Sequence, residues 1–130
     1  MLISLLAGGG CKGKEKNVIM TAELSRGSSS IAVYIENNTD KRFTISSPFW
    51  LQEEKNGEWQ ASDANVTQTI VTVAYNVDVG DSFTDSFPVD ASKMKENIRY
   101  RVYVHCMDYS DNETVLYSEP FTINDDKQTS

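Results

Sequence analysis

Two segments of the chain alternate between apolar and polar positions with a period of two. In 30–37, every second residue from Ile31 to Ile35 is a branched aliphatic one, and in 98–107 every second residue from Ile98 to Cys106 is apolar. Side chains of a β-strand point alternately to opposite faces, so this period puts one face of each segment in a core and the other in water. Both segments are therefore predicted to be half-buried strands.

Turn-forming residues divide the rest of the chain into short segments of the same kind. Asn-Gly at 56–57 predicts a hairpin between strands at 49–55 and 58–61. Asn-Asn-Thr-Asp at 37–40 predicts a second hairpin, between strands at 30–37 and 42–47. Ser47-Pro48 is expected to end the strand at 42–47. Further strands are predicted at 17–24, 69–75, 82–89 and 98–107, with a last one at about 114–123 that Ser118-Glu119-Pro120 interrupts, and a short helical turn at 91–96. About seven to eight strands with no long helix predict an all-β antiparallel sandwich.

The alternation also predicts which side chains form the core. These are Ile31, Val33, Ile35, Phe43, Ile45, Leu51, Trp59, Val71, Val73, Phe87, Tyr100, Val102, Val104, Phe121 and Ile123. Asp85 falls on the same side of its strand as Phe83 and Phe87. A carboxylate is costly to bury without a partner, so this strand is expected to lie at a sheet edge or to carry a bulge.

Composition and charge narrow the classes of function. Hydrophobic residues make up 39% of the 130-residue chain and charged residues 24%, which suits one soluble globular domain. The net charge is −7, and residues 17–130 alone contain nine basic and eighteen acidic residues. Such a domain repels phosphate backbones, so nucleic acid is not an expected partner.

The N-terminal segment suggests a location. Met1 to Cys11 reads MLISLLAGGGC, which resembles the end of a bacterial lipoprotein signal, where the cysteine takes the lipid. A basic start is missing, which an upstream start codon explains, and the alternative is a frayed terminus with an incidental cysteine. We expect 1–16 to be a signal remnant and polar tether, 17–124 the sandwich, and 125–130 a disordered tail. Cys11 is the predicted lipidation site, and this places the protein on the extracytoplasmic face of a bacterial envelope membrane, attached only by the lipid.

The residues with catalytic or metal-binding chemistry do not form a recognisable motif. His105 and Cys106 are adjacent in a predicted strand, so their side chains point to opposite faces and cannot form a nucleophile–base pair. Cys106 is then a small buried residue with a free thiol. Acidic residues at Asp108, Asp111 and Glu113 could bind calcium but lack an EF-hand spacing. We predict no catalytic residue, no metal site and no cofactor.

One outward row of the 98–107 strand is a candidate interaction face. Arg99, Arg101, Tyr103 and His105 lie on the side opposite the predicted core. Arginine and tyrosine are favoured at binding surfaces, and a flat sheet face is a common docking site. The alternative is a solvated strand face on which arginine stems cover apolar surface.

The order of these motifs resembles a known family. SIAVYIENNTDKRFTI, FWLQEEKNGEW, VDVGDSFTDSFPVD and IRYRVYV follow one another as in the bacterial immunoglobulin-like domains of small envelope lipoproteins and sensor ectodomains. The resemblance implies an immunoglobulin-like sandwich with Tyr100 as its corner tyrosine, although Glu96-Asn97-Ile98 replaces the usual glycine before that strand.

The resemblance implies no catalytic residues. The expected function is a non-enzymatic extracytoplasmic binding or accessory module whose partner is a protein or a cell-wall ligand. The alternative is an immunoglobulin-like proteinase inhibitor that acts through a loop such as 107–114.

Overall fold

Eight strands make up most of the part of the chain that the structure describes. The computed structural model describes residues 17–24, 27–68, 74–108, 110 and 112–123. Its strands are β1 (Val18–Leu24), β2 (Ser30–Asn37), β3 (Phe43–Lys55), β4 (Glu58–Ala61), β5 (Ala74–Val77), β6 (Ser82–Pro88), β7 (Tyr100–Met107) and β8 (Glu113–Tyr117), with a 3₁₀ turn at Ala91–Lys93.

The strands form two sheets. One has the order β1-β2-β6, and the other has the order β4-β3-β7-β8 with β5 also paired to β3. Every strand pair is antiparallel. The predicted all-β antiparallel sandwich is therefore confirmed. No helix among the described residues is long and apolar enough to cross a membrane.

The strands with the clearest alternation are where the sequence predicts them. In β7 the buried residues Tyr100, Val102, Val104 and Cys106 alternate with more exposed ones, and β2 shows the same pattern. The hairpin at Asn56-Gly57 is also confirmed, since β3 and β4 pair directly across it. Both turn residues have positive φ, 54° for the asparagine and 82° for the glycine. A two-residue hairpin turn of this kind needs those values.

The predicted hairpin across 37–40 is wrong. β2 pairs with β1 and β6, whereas β3 pairs with β4, β5 and β7, so the chain crosses here from one sheet to the other. Turn residues report that the chain changes direction, and they do not say which strand it meets next.

The predicted strand end at Ser47-Pro48 is also wrong. β3 continues through these residues, and its pairing with β7 shifts register between Ser46 and Trp50. Proline cannot donate to a ladder, so an irregular register lets one long strand include it. The strand predicted at 69–75 lies mostly outside the described residues, since only Ala74 and Tyr75 fall in β5.

The core lies between the sheets and contains most of the predicted residues. Buried hydrophobic residues are Met20, Ile31, Val33, Ile35, Phe43, Ile45, Phe49, Leu51, Ala64, Val77, Phe87, Val89, Met94, Tyr100, Val102, Val104 and Cys106. Phe121 and Ile123 pack against this core but are only partly buried. Val71 and Val73 lie outside the described residues. Trp59 was predicted in the core and is not in it. It is half-buried and lies on the outer face of the larger sheet, because it pairs with Glu54 across the hairpin.

The expectation for Asp85 is confirmed. β6 is at one edge of its sheet, and Asp85 is exposed there although it pairs with the buried Val33. A charged residue at an inward-facing position of an edge strand opposes pairing of that strand with another chain.

The short helical turn is present at Ala91–Lys93. The last strand ends at Tyr117, and Phe121 then forms an isolated bridge with Tyr100.

Asn37 connects the two sheets at the crossing between β2 and β3. Its side chain is fully buried, and Nδ2 donates to the carbonyl oxygens of Lys41 and Val77, each at 3.0 Å. Its Oδ1 accepts from the backbone N–H and the hydroxyl of Thr39, at 2.9 and 2.6 Å. Its backbone groups bond the 78–81 turn through Asp81 and Gly80. One buried amide thus holds two turns and both sheets.

Replacing Asn37 should destabilise the domain far more than replacing its neighbour. Asn37→Ala removes the side-chain donor to the buried Val77 carbonyl and the acceptor of the Thr39 N–H, so we expect the free energy of unfolding to fall by about 3 kcal/mol. Asn38 is the matched control, because its buried Nδ2 has no partner in the described residues. Asn38→Ala should not lower stability, because it removes a buried donor that already lacks a partner. Urea denaturation of both variants measures the difference, and equal losses would contradict the assigned role.

Candidate functional site

The outer face of the larger sheet carries the four residues of the predicted interaction face. Arg99 and His105 are exposed, and Arg101 and Tyr103 are half-buried. They share this face because residues of β7 alternate with the buried row of Tyr100 to Cys106. The structure therefore brings the four together on one surface, as the alternation indicates.

The structure adds three aromatic residues to this surface. Trp50 of β3 pairs with Tyr103, and Tyr103 pairs with Tyr117 of β8, so three aromatic residues stand side by side across three strands. Trp59 of β4 lies beside them. We call the surface made by Trp50, Trp59, Arg99, Arg101, Tyr103, His105 and Tyr117 the aromatic face. Both tryptophans of the chain lie on it.

Arg101 lies between two rings of the aromatic face. Its guanidinium carbon is 4.5 Å from the centroid of Trp59 and 4.0 Å from that of Tyr117. Its Nε donates to Oε1 of Gln52 at 2.7 Å. Cation–π contacts of this length are favourable, most of all when water is partly excluded. The arginine therefore fixes the positions of the two rings.

Arg99 and His105 of the aromatic face each lie beside a glutamate. Arg99 Nη1 is 3.1 Å from Glu54 Oε1, and its guanidinium carbon is 5.7 Å from the Trp59 ring. His105 Nδ1 is 3.4 Å from Glu113 Oε2. Two arginines and two glutamates therefore lie on or beside this surface, and Arg101 is the arginine without a carboxylate partner.

The outer face of the smaller sheet is chemically different. The outward positions of β1, β2 and β6 are mostly hydroxyl and carboxylate residues. Its central aromatic residue is Tyr34, which is 38% exposed and donates its hydroxyl hydrogen to Glu36 at 3.3 Å. Both faces are built on open antiparallel sheets, so the sheet architecture alone does not account for the rings of the aromatic face.

Two residues that the sequence analysis did not place on the aromatic face had a recognisable signal. A two-residue hairpin places Trp59 opposite Glu54. The two side chains then lie on the same face of the sheet, and a carboxylate indicates that this face is the outer one. Trp50 precedes the fully buried Leu51 in a strand, and alternation puts it outside. Tyr117 had no comparable signal, since the end of its strand could not be located from the sequence.

His105 is separated from the two candidate nucleophiles nearest to it in the strands. Cys106 is buried on the opposite side of the strand, which confirms the predicted separation of the two side chains. Ser46 pairs with His105 in register, yet no hydrogen bond joins their side chains in the described part of the chain.

The loop after β7 is organised by Asp108. Its carboxylate accepts from the backbone N–H groups of Ser110 and Asn112, at 2.8 and 2.9 Å, and these bonds lower the pKa of Asp108. Among the described residues, no three acidic, histidine or cysteine side chains are grouped to hold a metal ion. Tyr109 and Asp111 lie outside the described residues. Protease inhibition by this loop stays an untested alternative, and the predicted absence of a metal site is likewise untested.

A cleft of about 200 Å³ opens at the same end of the sandwich. It lies between the start of β1 and the β7–β8 pair, and Val18, Phe43, Cys106 and Leu116 contribute to its walls. Burial raises the pKa of the Cys106 thiol to about 11, and the carboxylate of Asp108 adds to this shift. A raised pKa disfavours the thiolate, which is the reactive form. We therefore expect Cys106 to be an unreactive structural residue.

Thiol labelling tests this assignment. In a Cys11→Ser background, Cys106 of the folded domain should react with Ellman's reagent at pH 8 at least a hundredfold more slowly than in denaturant, since the group is buried and protonated. The control is Ser86→Cys with Cys106→Ala, because Ser86 is exposed. Its thiol should react equally fast in both states. Rapid labelling of folded Cys106 would show that the thiol is accessible.

Tyr100 has the geometry that the family resemblance implies. It is fully buried at the start of β7, and its hydroxyl oxygen accepts from the backbone N–H of Lys95 at 2.7 Å. A hydroxyl bonded to backbone a few residues upstream is the defining bond of a tyrosine corner. Asn97, in place of a glycine, adopts the left-handed φ of 68° in the turn before it.

Comparison with known proteins agrees with this geometry. A family model described as a bacterial Ig-like domain matches residues 14–126. The chain belongs to the bacterial Ig-like domain family. No curated protein matches it significantly.

Two solved structures resemble this bacterial Ig-like domain. A candidate ApaA protein from Bordetella pertussis is 14% identical, with a TM-score of 0.48, and the alignment covers 82% of this chain and 89% of that one. The structural-genomics target SoR45 is 12% identical with a TM-score of 0.43, covering 81% of each chain. Likeness at this level says nothing about function.

Proposed function

We propose that this bacterial Ig-like domain is a non-enzymatic, extracytoplasmic binding module, held at an envelope membrane by a lipid on Cys11, and that it binds through the aromatic face. The observation that carries the proposal is the row formed by Trp50, Tyr103 and Tyr117 across three neighbouring strands. Tyr117 is 48% exposed. Aromatic and arginine side chains are enriched where protein surfaces bind, and a group of them on an open sheet face marks such a site.

The rigidity of the aromatic face supports a binding role. Arg101 is held by two rings and by Gln52, and Arg99 by Glu54 and Trp59. Side chains that are already fixed lose little conformational entropy when a partner binds. Arg99 has a carboxylate partner, so covering it does not leave an unpaired charge.

A lipid on Cys11 would orient the domain. Val18 begins β1 at the end of the sandwich that also contains the 78–81 and 108–112 turns. Seven peptide units separate Cys11 from Val18, so the two Cα atoms are at most about 25 Å apart. That end would face the membrane, and Tyr100 and Phe121 would mark the distal end.

Binding to isolated cell envelopes tests the proposed face. The chain without residues 1–16 should cosediment with envelopes of its source bacterium, and the double variant Tyr103→Ala/Tyr117→Ala should bind at least tenfold more weakly, because it removes two rings of the row. The control is Tyr34→Ala on the other sheet, which should bind like the wild type. Denaturation curves show that each variant is folded. Equal binding by all three proteins, or by none, would reject the aromatic face.

Mass spectrometry tests the proposed anchor. The protein expressed from its own genomic locus in its source bacterium should yield a mature N-terminus at Cys11 that carries a diacylglycerol group. Cys11→Ser should release the protein from the membrane fraction. An unmodified Cys11 in membrane-derived protein would reject the anchor and leave the binding face untouched.

A further inference from the structure

The ligand class can be inferred from the chemistry of the aromatic face. We propose that this face binds a neutral glycan chain, whose sugar rings stack on the row of Trp50, Tyr103 and Tyr117. The inference rests on the proposed binding function and names its ligand.

The first argument is the geometry of the rings. Neighbouring strands are about 4.8 Å apart, so the side chains of Trp50, Tyr103 and Tyr117 follow one another across the sheet at about that interval. The ring centroids of Tyr103 and Tyr117 are 6.1 Å apart. A pyranose has a flat face of C–H groups with partial positive charge, which complements the negative face of an aromatic ring. The planes of these two rings are inclined by 48°, so consecutive sugars that stack on them would be rotated relative to one another.

The second argument is charge. On this surface Arg99 pairs with Glu54 and His105 lies beside Glu113, while the whole chain carries −7. An anionic polymer would be repelled by the protein as a whole, and Arg101, which has no carboxylate partner, is already held by two rings and by Gln52. A strongly basic ligand would find more negative surface elsewhere on the domain. An uncharged ligand suits this face best.

The third argument is the polar groups between the rings. The hydroxyls of Tyr103 and Tyr117 have no hydrogen-bond partner within the described residues. Gln52 accepts a hydrogen bond from Arg101 through Oε1, so the amide N–H groups of Gln52 remain available to a ligand. Hydroxyl and amide groups both donate and accept, as sugar hydroxyls do. A second copy of this chain would instead bring two acidic domains of like charge together.

Tryptophan fluorescence gives a direct measurement, because both tryptophans lie on the aromatic face. Hexasaccharides of β-1,4-glucose, α-1,4-glucose and β-1,4-N-acetylglucosamine are titrated into the chain without residues 1–16. At least one should shift the emission to shorter wavelength with a saturable curve, as stacked sugar displaces water from the indole rings. Tyr103→Ala should weaken that binding roughly tenfold. Tyr34→Ala should leave it unchanged. No change in tryptophan emission with any of the three sugars would overturn the inference.

Envelopes treated with proteinase K or with periodate distinguish a failure of this inference from a failure of the proposed function. Envelopes digested with proteinase K should still bind the domain, and envelopes oxidised with periodate, which cleaves sugar diols, should not. Binding that proteinase K abolishes, but that still needs Tyr103 and Tyr117, would keep the aromatic face and overturn the glycan. Sedimentation should show a monomer. A dimer dissociated by Tyr117→Ala would assign the face to a second copy and also overturn the inference.

Discussion

The buried amide of Asn37 is the constraint on which the arrangement of the two sheets depends. It lies where the chain leaves the smaller sheet, and it bonds Val77 at the end of β5 in the larger one. Its remaining groups bond the two turns beside it. A buried polar group must be fully paired to be tolerated, so this one is stable in a single arrangement of both turns. The position of β3 relative to β2 follows from it.

The limits of sequence reasoning are clearest at this same point. Period-two alternation located β2 and β7 well, because each has one face in the core and one in water. The segment after Asn37 contains good turn residues, yet it leads to another sheet. A local turn preference cannot distinguish a hairpin from a connection that crosses to the other sheet. The distinction depends on the hydrogen bond of Asn37 to Val77, which is 40 residues away in the sequence. Long-range hydrogen bonds of this kind leave no local signature.

Prediction of the candidate site was partial for a related reason. Arg101, Tyr103 and His105 belong to β7 and Arg99 directly precedes it, so alternation alone grouped the four. The rings that complete the aromatic face come from three other strands, and only the register between strands places them there. Trp59 shows the difficulty well. Its hydrophobicity favours the core, whereas its position opposite Glu54 puts it outside, and the pairing decides.

The direction in which the chain enters and leaves the sandwich has a mechanical consequence. β1 begins at the Asn37 end, and Phe121 pairs with Tyr100 at the other end. A pulling force between these ends would run along the strands. It would load the β1–β2 ladder, from Val18 opposite Asn37 to Leu24 opposite Ile31, in shear. Hydrogen bonds loaded in shear resist together, whereas those in a peeled strand break one by one. A domain tethered at its N-terminus and pulled from its distal end would thus be loaded in the direction in which this ladder is strongest.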